Sequence, residues 1–232
     1  MPALSLESVS AGDPAYPAIE GLDLRVGRGE TVVLSAPRGH GLDLLPGLIS
    51  GQVAPLSGAV TLLGQRLSCL GPTELRALRF RCGFVPARGL LLANHTVHDN
   101  LALPLRYHGV AENEVLARVA EALDRHRLRH LADRRPAQLT RAQARWAAMV
   151  RAHLTRAEVV VVHEPFEGMD EAASERLERL LRDWVGDDGR AVLLTTHATS
   201  LDASYGGRLA HLDARVATWV RRDTSIPGAP SR

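Results

Sequence analysis

Residues Val32 to Leu45 read VVLSAPRGHGLDLL, a short apolar run that breaks into a glycine-containing turn and then resumes an apolar, helix-compatible pattern. A strand, a glycine turn and a helix start in that order have the shape of a phosphate-binding loop, where backbone N–H groups cradle anionic oxygens. The motif G-x-x-x-x-G-K-[ST] adds a lysine that reaches the β- and γ-phosphates and a hydroxyl that ligates Mg²⁺. Aligned on Gly41, this chain has Ala36 in place of the first glycine, Leu42 in place of the lysine and Asp43 in place of the hydroxyl. All 28 basic residues are arginines, so no lysine elsewhere substitutes. A glycine turn after a strand is common, and the loop alone does not separate a nucleotide site from a plain turn.

The order of segments downstream separates them. Arg135 to Ala152 reads RPAQLTRAQARWAAMVRA; four valines, Val159 to Val162, precede His163-Glu164-Pro165; then come Glu167-Gly168-Met169-Asp170 and LLTTH ending at His197. This order resembles the nucleotide-binding subunit of ABC transporters, with its Walker A loop, Q-loop, LSGGQ signature, Walker B strand, D-loop and H-loop. The resemblance runs from about Leu4 to Val220. It implies an α/β fold: a P-loop NTPase (RecA-like) core with an antiparallel β subdomain and an inserted α-helical subdomain. The nucleotide-binding domain is expected over 1–220, the helical part at about 87–156, and a Pro-, Ser- and Gly-rich disordered tail over 221–232.

Composition fits that placement. A chain of 232 residues with 45% hydrophobic content can fill a core. A net charge of +2, with no basic stretch interleaved with aromatics, argues against nucleic acid as a partner. Cys69 and Cys82 lie thirteen positions apart without metal-ligand spacing, which suits reduced thiols. No basic region leads into an apolar run at the N-terminus and no segment reaches ~18 apolar residues. The expectation is a cytoplasmic chain, peripheral on the inner membrane through a permease.

Periodicity places the elements. Leu4 to Ser10 and Gly21 to Val26 alternate as strands around the turn-rich AGDPAYP, and Thr31 to Ser35, Gly58 to Leu63 and Gly83 to Pro86 are further strands. Leu75 to Arg81 reads as a short helix. From Ala111 to Leu131 apolar residues recur every three or four positions, which predicts an amphipathic helix, followed by helices at Arg141 to Leu154 and Ala172 to Val185. The valine run and Ala191 to Thr195 read as buried parallel strands.

The resemblance assigns the family's roles to single positions. Arg38, Gly39, His40, Gly41, Leu42 and Asp43 form the degenerate cofactor loop, and Gln143 and Asp170 hold the signature and D-loop positions. Glu164 and His197 occupy the catalytic positions of Walker B and the H-loop, although each can equally be a structural residue at a strand end. Ala87 stands where the Q-loop glutamine belongs, the signature has become Leu139-Thr140-Arg141-Ala142-Gln143, and His163 replaces the Walker B aspartate. The stacking aromatic expected near Asp13 is absent, Tyr16 being the nearest. Pro46 falls in the early turns after the loop, where a proline in a helix interior costs ~3 kcal/mol and kinks the chain. A hydrogen bond to a charged partner contributes about 1.5–3 kcal/mol, so losing lysine, hydroxyl and glutamine together removes several.

Those losses imply no cofactor or weakly held ATP, with Mg²⁺ not expected and no residue assigned to a metal. ABC nucleotide-binding subunits pair head to tail, each site joining the Walker residues of one protomer to the signature of the other. This chain has lost both halves, which points to a pseudo-ATPase in a homodimer, or in a heterodimer with another nucleotide-binding subunit. Two alternatives stay open: a weakly active ATPase with Glu164 as base, and a soluble scaffold without a permease.

The stretch LLLANHTVHDNLALPLRYHG, Leu90 to Gly109, resembles the family segment that meets the permease, closest to the lipoprotein-releasing, cell-division and phospholipid (mammalian-cell-entry) branches. Leu91, Leu92, Thr96 and Val97 are expected to line or support the permease groove. Leu101, Leu103 and Leu105 belong to the same surface, unless these leucines are ordinary core. The former metal site offers one more expectation. Asp43 and His163 replace residues that face each other across Mg²⁺ in the family, so they can pair directly, the carboxylate raising the imidazole's pKa. The other possibility is independent drift of both positions.

Overall fold

The four valines enter the strand they predict and extend it by one residue. The computed structural model describes residues 1–87, 91–197, 208–213 and 216–220. β7 runs Val159–His163 and β8 Ala191–Thr196, every side chain of both buried, as parallel strands covered on two faces require. With β3 (Glu30–Ser35), β6 (Cys82–Val85), β9 (Arg208–Asp213) and β10 (Val216–Val220) they build a six-stranded sheet ordered β10-β9-β3-β8-β7-β6. Only the β9–β10 pairing is antiparallel. Alternation along the strands sorts the core in two. Val33, Val160, Val162, Val192 and Leu194 face one side, and Val32, Leu34, Val159, Val161 and Leu193 face the other.

The second side is covered by an antiparallel sheet of β1 (Leu4–Gly12), β2 (Pro17–Val26), β4 (Ser57–Leu62) and β5 (Gln65–Arg66), ordered β2-β1-β4-β5. The strands reach farther into AGDPAYP than alternation alone suggests: Gly12 pairs with Pro17, leaving a tight turn at 13–16. Gly12 permits this with φ 121°, since a Cβ there would sit 2.6 Å from the Ala18 nitrogen.

The first side carries the helices. α3 (Val97–Tyr107), α4 (Glu112–Arg125) and α5 (Arg141–Leu154) lie in sequence between β6 and β7, and α6 (Glu171–Gly186) follows β7. α5 matches its expected limits at both ends. The helix expected from Ala111 to Leu131 instead stops at Arg125, because Arg127 turns left-handed (φ 57°) and the chain continues as a 3₁₀ turn, Arg129–Leu131. The short helix before β6, α2, starts earlier, at Pro72–Arg79, where the Glu74 carboxylate accepts the Gly71 N–H at 2.8 Å. Pro46 also departs from expectation. A 3₁₀ turn, Leu42–Leu44, precedes the five-residue α1 (Leu45–Ile49), and Pro46 sits in the first turn of α1, where its missing N–H costs nothing. It neither kinks nor interrupts a helix interior. No helix among the described residues is long and apolar enough to cross a membrane. The expected tail lies outside the described residues.

The seam between α5 and α6 holds a titratable group. Trp184 is fully buried and its indole N–H donates to His153 Nδ1 at 2.8 Å, the rings stacked 6.3 Å apart. Burial, reinforced by Arg190, pushes the His153 pKa down to about 4. The unfolded chain takes a proton there near ~6.5 while the folded chain does not, so this contribution is complete above ~6.5 and is lost as pH falls toward 4. His153→Gln keeps an acceptor for Trp184 and removes the titration. Its urea midpoint should fall less between pH 7 and 5 than that of the parent; equal falls would exclude His153 as a source of the acid sensitivity.

Candidate functional site

Register brings the site together. His163 and Leu34 both pair with Thr195, and Ser35 pairs with Thr196, so β3, β7 and β8 end level. Beyond those ends opens a cavity of about 630 Å³, lined by Arg38, Asp43, Ala87, His163, Glu164, Glu167 and His197 among others. Arg38, Asp43, Glu164 and His197, of the positions assigned to nucleotide chemistry in the sequence, meet here with Ala87 and His163, while Leu42, Gln143 and Asp170 do not line the cavity.

The loop keeps a phosphate-binding shape without the groups that hold phosphate. Gly39 (φ 89°) and Gly41 (φ 76°) adopt conformations that favour glycine, and a Cβ on Gly41 would lie 2.6 Å from Ile19 Cγ1. Leu42 is 0% exposed and buried in the apolar core between the two sheets, so the side chain at the lysine position points away from the cavity. Two loop donors are satisfied internally, His40 N–H on the Pro37 carbonyl at 3.3 Å and Leu44 N–H on the Gly41 carbonyl at 2.9 Å. Asp43 brings a carboxylate to the rim of the cavity. These residues do not fit Mg·ATP as the motif binds it.

Asp43 instead meets His163. Asp43 Oδ1 lies 2.9 Å from His163 Nε2, and His163 Nδ1 lies 2.8 Å from Thr195 Oγ1. The direct pair expected from sequence is formed, but its expected electrostatics is reversed: the His163 pKa is lowered, not raised. Burial of the ring is the largest cause, and Asp43 opposes it without prevailing. The imidazole is only 6% exposed while the carboxylate is 79% exposed, so water screens the partner and not the ring. As a neutral ring, His163 donates from Nε2 to Asp43 and accepts at Nδ1 from the Thr195 hydroxyl.

Glu164 and His197 lock the strand ends. Glu164, at φ 51°, accepts the His197 backbone N–H at 2.6 Å on one oxygen and the Thr196 hydroxyl at 3.0 Å on the other. The His197 Nδ1–H donates to the Ala36 carbonyl at 3.0 Å, and its ring stands edge-on to His163 at 5.5 Å. Both oxygens of the base candidate therefore already accept hydrogen bonds from β8 and the residue after it.

Gln143 and Asp170 lie on helix starts. Gln143 accepts the Thr140 N–H at 2.9 Å in a reciprocal cap of α5, and Asp170 caps α6 by accepting the Ala173 N–H at 2.8 Å. Arg141, in a glycine position of the signature, pairs with Glu167 at 2.6 Å. The residues expected to line or support the permease groove divide. Leu91, Val97, Leu101 and Leu105 are buried core and at most support it, while Leu92 and Leu103 are exposed and Thr96 caps α3 by accepting the Asp99 N–H. Their core placement follows from α3 laying one face on α4 and α5.

Two residues escaped the sequence reading. Buried Asn100 accepts the Leu92 N–H at 2.7 Å and donates to the carbonyls of Leu92, His95 and Thr96, shaping the segment before α3. Arg145, 0% exposed, donates to the carbonyls of His163 (3.2 Å) and Ala87 (3.0 Å) and reaches Glu167 Oε2 at 3.4 Å. Burial lowers its pKa while Glu167 raises it. One signal was present: position 145 shares a helix face with Met149 and Ala152, so a charge there sits on an apolar stripe. Removing one partner of a buried pair costs more than removing both. Glu167→Ala should therefore destabilise by about 2 kcal/mol, discounted for the partial exposure of Glu167, and the same change in an Arg145→Met background should cost much less. Equal losses in chemical denaturation of the two backgrounds would exclude the coupling.

Known proteins share this arrangement of elements. Residues 19–167 match the sequence profile of the family described as ABC transporter. The methionine import ATP-binding protein of Mesorhizobium japonicum is 34% identical over 198 residues, 85% of this chain and 54% of that protein. Its counterpart in Caulobacter vibrioides is 34% identical over 199 residues, 86% of this chain and 60% of that protein. The chain thus spans little more than half the length of these relatives. Among solved structures, an ATP-binding subunit of an ABC transporter superposes with a TM-score of 0.82 at 25% identity, covering 94% of this chain and 90% of that one. A bacterial ABC transporter cassette solved as a dimer gives 0.83 at 24% identity, with 94% and 99% covered, a likeness of fold. With a P-loop NTPase architecture and a profile match over more than half its length, the chain belongs to the ABC transporter family, as an ATP-binding domain.

Proposed function

We propose that this chain is a catalytically impaired ATP-binding subunit that docks on an inner-membrane permease and supports assembly or regulation of the transporter. The observation that supports the reading is that the loop's side chains are engaged within the chain: Leu42 is in the core and Asp43 is bound to His163. Phosphoryl transfer needs a cation at the transferring phosphate and a metal between its oxygens, and neither ligand set is present in the family's form. The dimeric partner is a second copy or another nucleotide-binding subunit. On cargo, the Leu90 to Gly109 segment favours a lipid or lipoprotein, whereas the similar curated proteins are named for methionine import. Identifying the permease that co-purifies with the chain decides between them, and its absence would favour the scaffold.

Nucleotide binding is tested by thermal unfolding. An intact site at ~100 times its Kd gains about 2.7 kcal/mol from its ligand, yet millimolar Mg·ATP is expected to leave the Tm of this protein unchanged. Protection by Mg·ATP, with turnover that disappears in Glu164→Gln, would instead identify a weakly active ATPase.

Docking is tested on the exposed leucines of the permease-facing segment. Leu103 is 38% exposed and Leu92 46%, so Leu103→Asp or Leu92→Asp should release a folded protein from permease-containing membranes. Leu105, 3% exposed, is unsuitable because its replacement by Asp would unfold α3. Full membrane retention of folded Leu103→Asp and Leu92→Asp proteins would remove this surface from the interface.

A further inference from the structure

The rim of the cavity carries a donor set that no nucleotide requires. Asp43, His163 and His197 come from three places, the loop after β3, the end of β7 and the residue after β8. Each offers one ligand atom, and these atoms lie within 4.8 Å of one another. A tetrahedral ion with bonds of ~2.1 Å spaces its ligand atoms by about 3.4 Å, so small side-chain movements bring the three onto one centre. We propose that Asp43, His163 and His197 form a binding site for a divalent transition-metal ion, Zn²⁺ in the first instance, which fastens the loop to the sheet in the absence of nucleotide. The inference goes beyond the loss of ATP hydrolysis and does not depend on it.

The donor chemistry selects the ion. Two imidazoles and a carboxylate suit Zn²⁺, Co²⁺ or Ni²⁺, whereas Mg²⁺ takes oxygen ligands and holds its waters. Outer hydrogen bonds orient both rings, as they do around metal-bound histidines. The His197 Nδ1–H is held on the Ala36 carbonyl at 3.0 Å, which leaves Nε2 as its unprotonated nitrogen. His163 Nδ1 lies 2.8 Å from Thr195 Oγ1. When the ion enters, the His163 proton shifts to Nδ1 and is donated to that hydroxyl, and Nε2 turns its lone pair to the metal with no net proton released.

Glu164 is not a fourth ligand, because its two oxygens are taken by the His197 N–H and the Thr196 hydroxyl. The fourth position instead opens on the cavity, where a water completes the tetrahedron. Asp43, 79% exposed, gives the ion a route in. His163 and His197 sit at strand ends that the register holds level, and Asp43 reaches them from the turn after β3, so binding should stiffen the loop and raise the stability of the folded chain.

The test uses the untagged full chain, freed of metal by a chelator and given no nucleotide. Titration with Co²⁺ should give one equivalent of visible absorption typical of tetrahedral coordination, which Zn²⁺ displaces and millimolar Mg²⁺ does not. Asp43→Asn and His197→Gln should each weaken Co²⁺ binding at least about tenfold, the loss that even an outer partner can cause. Zn²⁺ should raise the Tm of the parent and not that of Asp43→Asn. His153→Gln, remote from the cavity, controls for the other histidines and should bind like the parent. The proposal is overturned if the tetrahedral signal is absent, or if it survives undiminished in Asp43→Asn. That variant alters an exposed side chain and keeps the core, so it carries the test even if His197→Gln fails to fold.

Discussion

The parallel register of β3, β8 and β7 is the constraint on which the rest of the site depends. Thr195 sits opposite both Leu34 and His163, and three strands consequently end at one level. From there each contact follows in turn. The Ala36 N–H donates to the Thr196 carbonyl, the Glu164 N–H to the Thr195 carbonyl, and the His197 N–H back to the Glu164 carboxylate. A slip of one residue would send every side chain of a strand to the opposite face, taking His163 away from Asp43. Continuous burial on both faces forbids such a slip, because Val160 and Val162 belong to one half of the core and Val159 and Val161 to the other.

Within that frame the departures from the family motif support one another. Leucine at the lysine position would be an exposed apolar group if the loop kept its usual aim, but here it packs between the sheets. An aspartate at the hydroxyl position would be an uncompensated charge beside phosphate, but here a histidine at the end of β7, two strands from β3, meets it. Arg141 pairs with Glu167, which also faces the buried Arg145. Local choices that agree with the global structure mark a sequence specifying one state.

What could be read from sequence was the part governed by local pattern. The valine run and the helix at Arg141 to Leu154 were read to within a residue, and the three- and four-residue spacing after Ala111 placed the start of α4 but not its end, where Arg127 turns left-handed. The Asp43–His163 pair was legible only through the family resemblance, since the two lie 120 positions apart. Its proton equilibrium was not legible, because that turns on how far each partner is buried. Arg145 and Asn100 were missed for a related reason: a buried polar residue is recognised by its acceptors, and theirs are backbone carbonyls set by the fold. Pro46 was misjudged because a helix start and a helix interior look alike until the preceding 3₁₀ turn is known.

A ligand shifts a conformational equilibrium only through its different affinity for two states. In a working cassette the nucleotide ties the loop, the strand ends and the partner's signature together, and its hydrolysis releases them. In this chain the first two ties are made by side chains: Asp43 on His163, and His197 on Ala36 and Glu164. At the start of α5 Arg141 is paired with Glu167, and under the proposed function it obstructs the third. On the proposed reading, the order of the site no longer follows the nucleotide cycle, and the subunit presents its permease-facing segment in one fixed arrangement. That segment is set independently of the cavity by Asn100, whose hydrogen bonds shape the chain before α3, so the docking surface can persist while the chemistry beneath it is replaced.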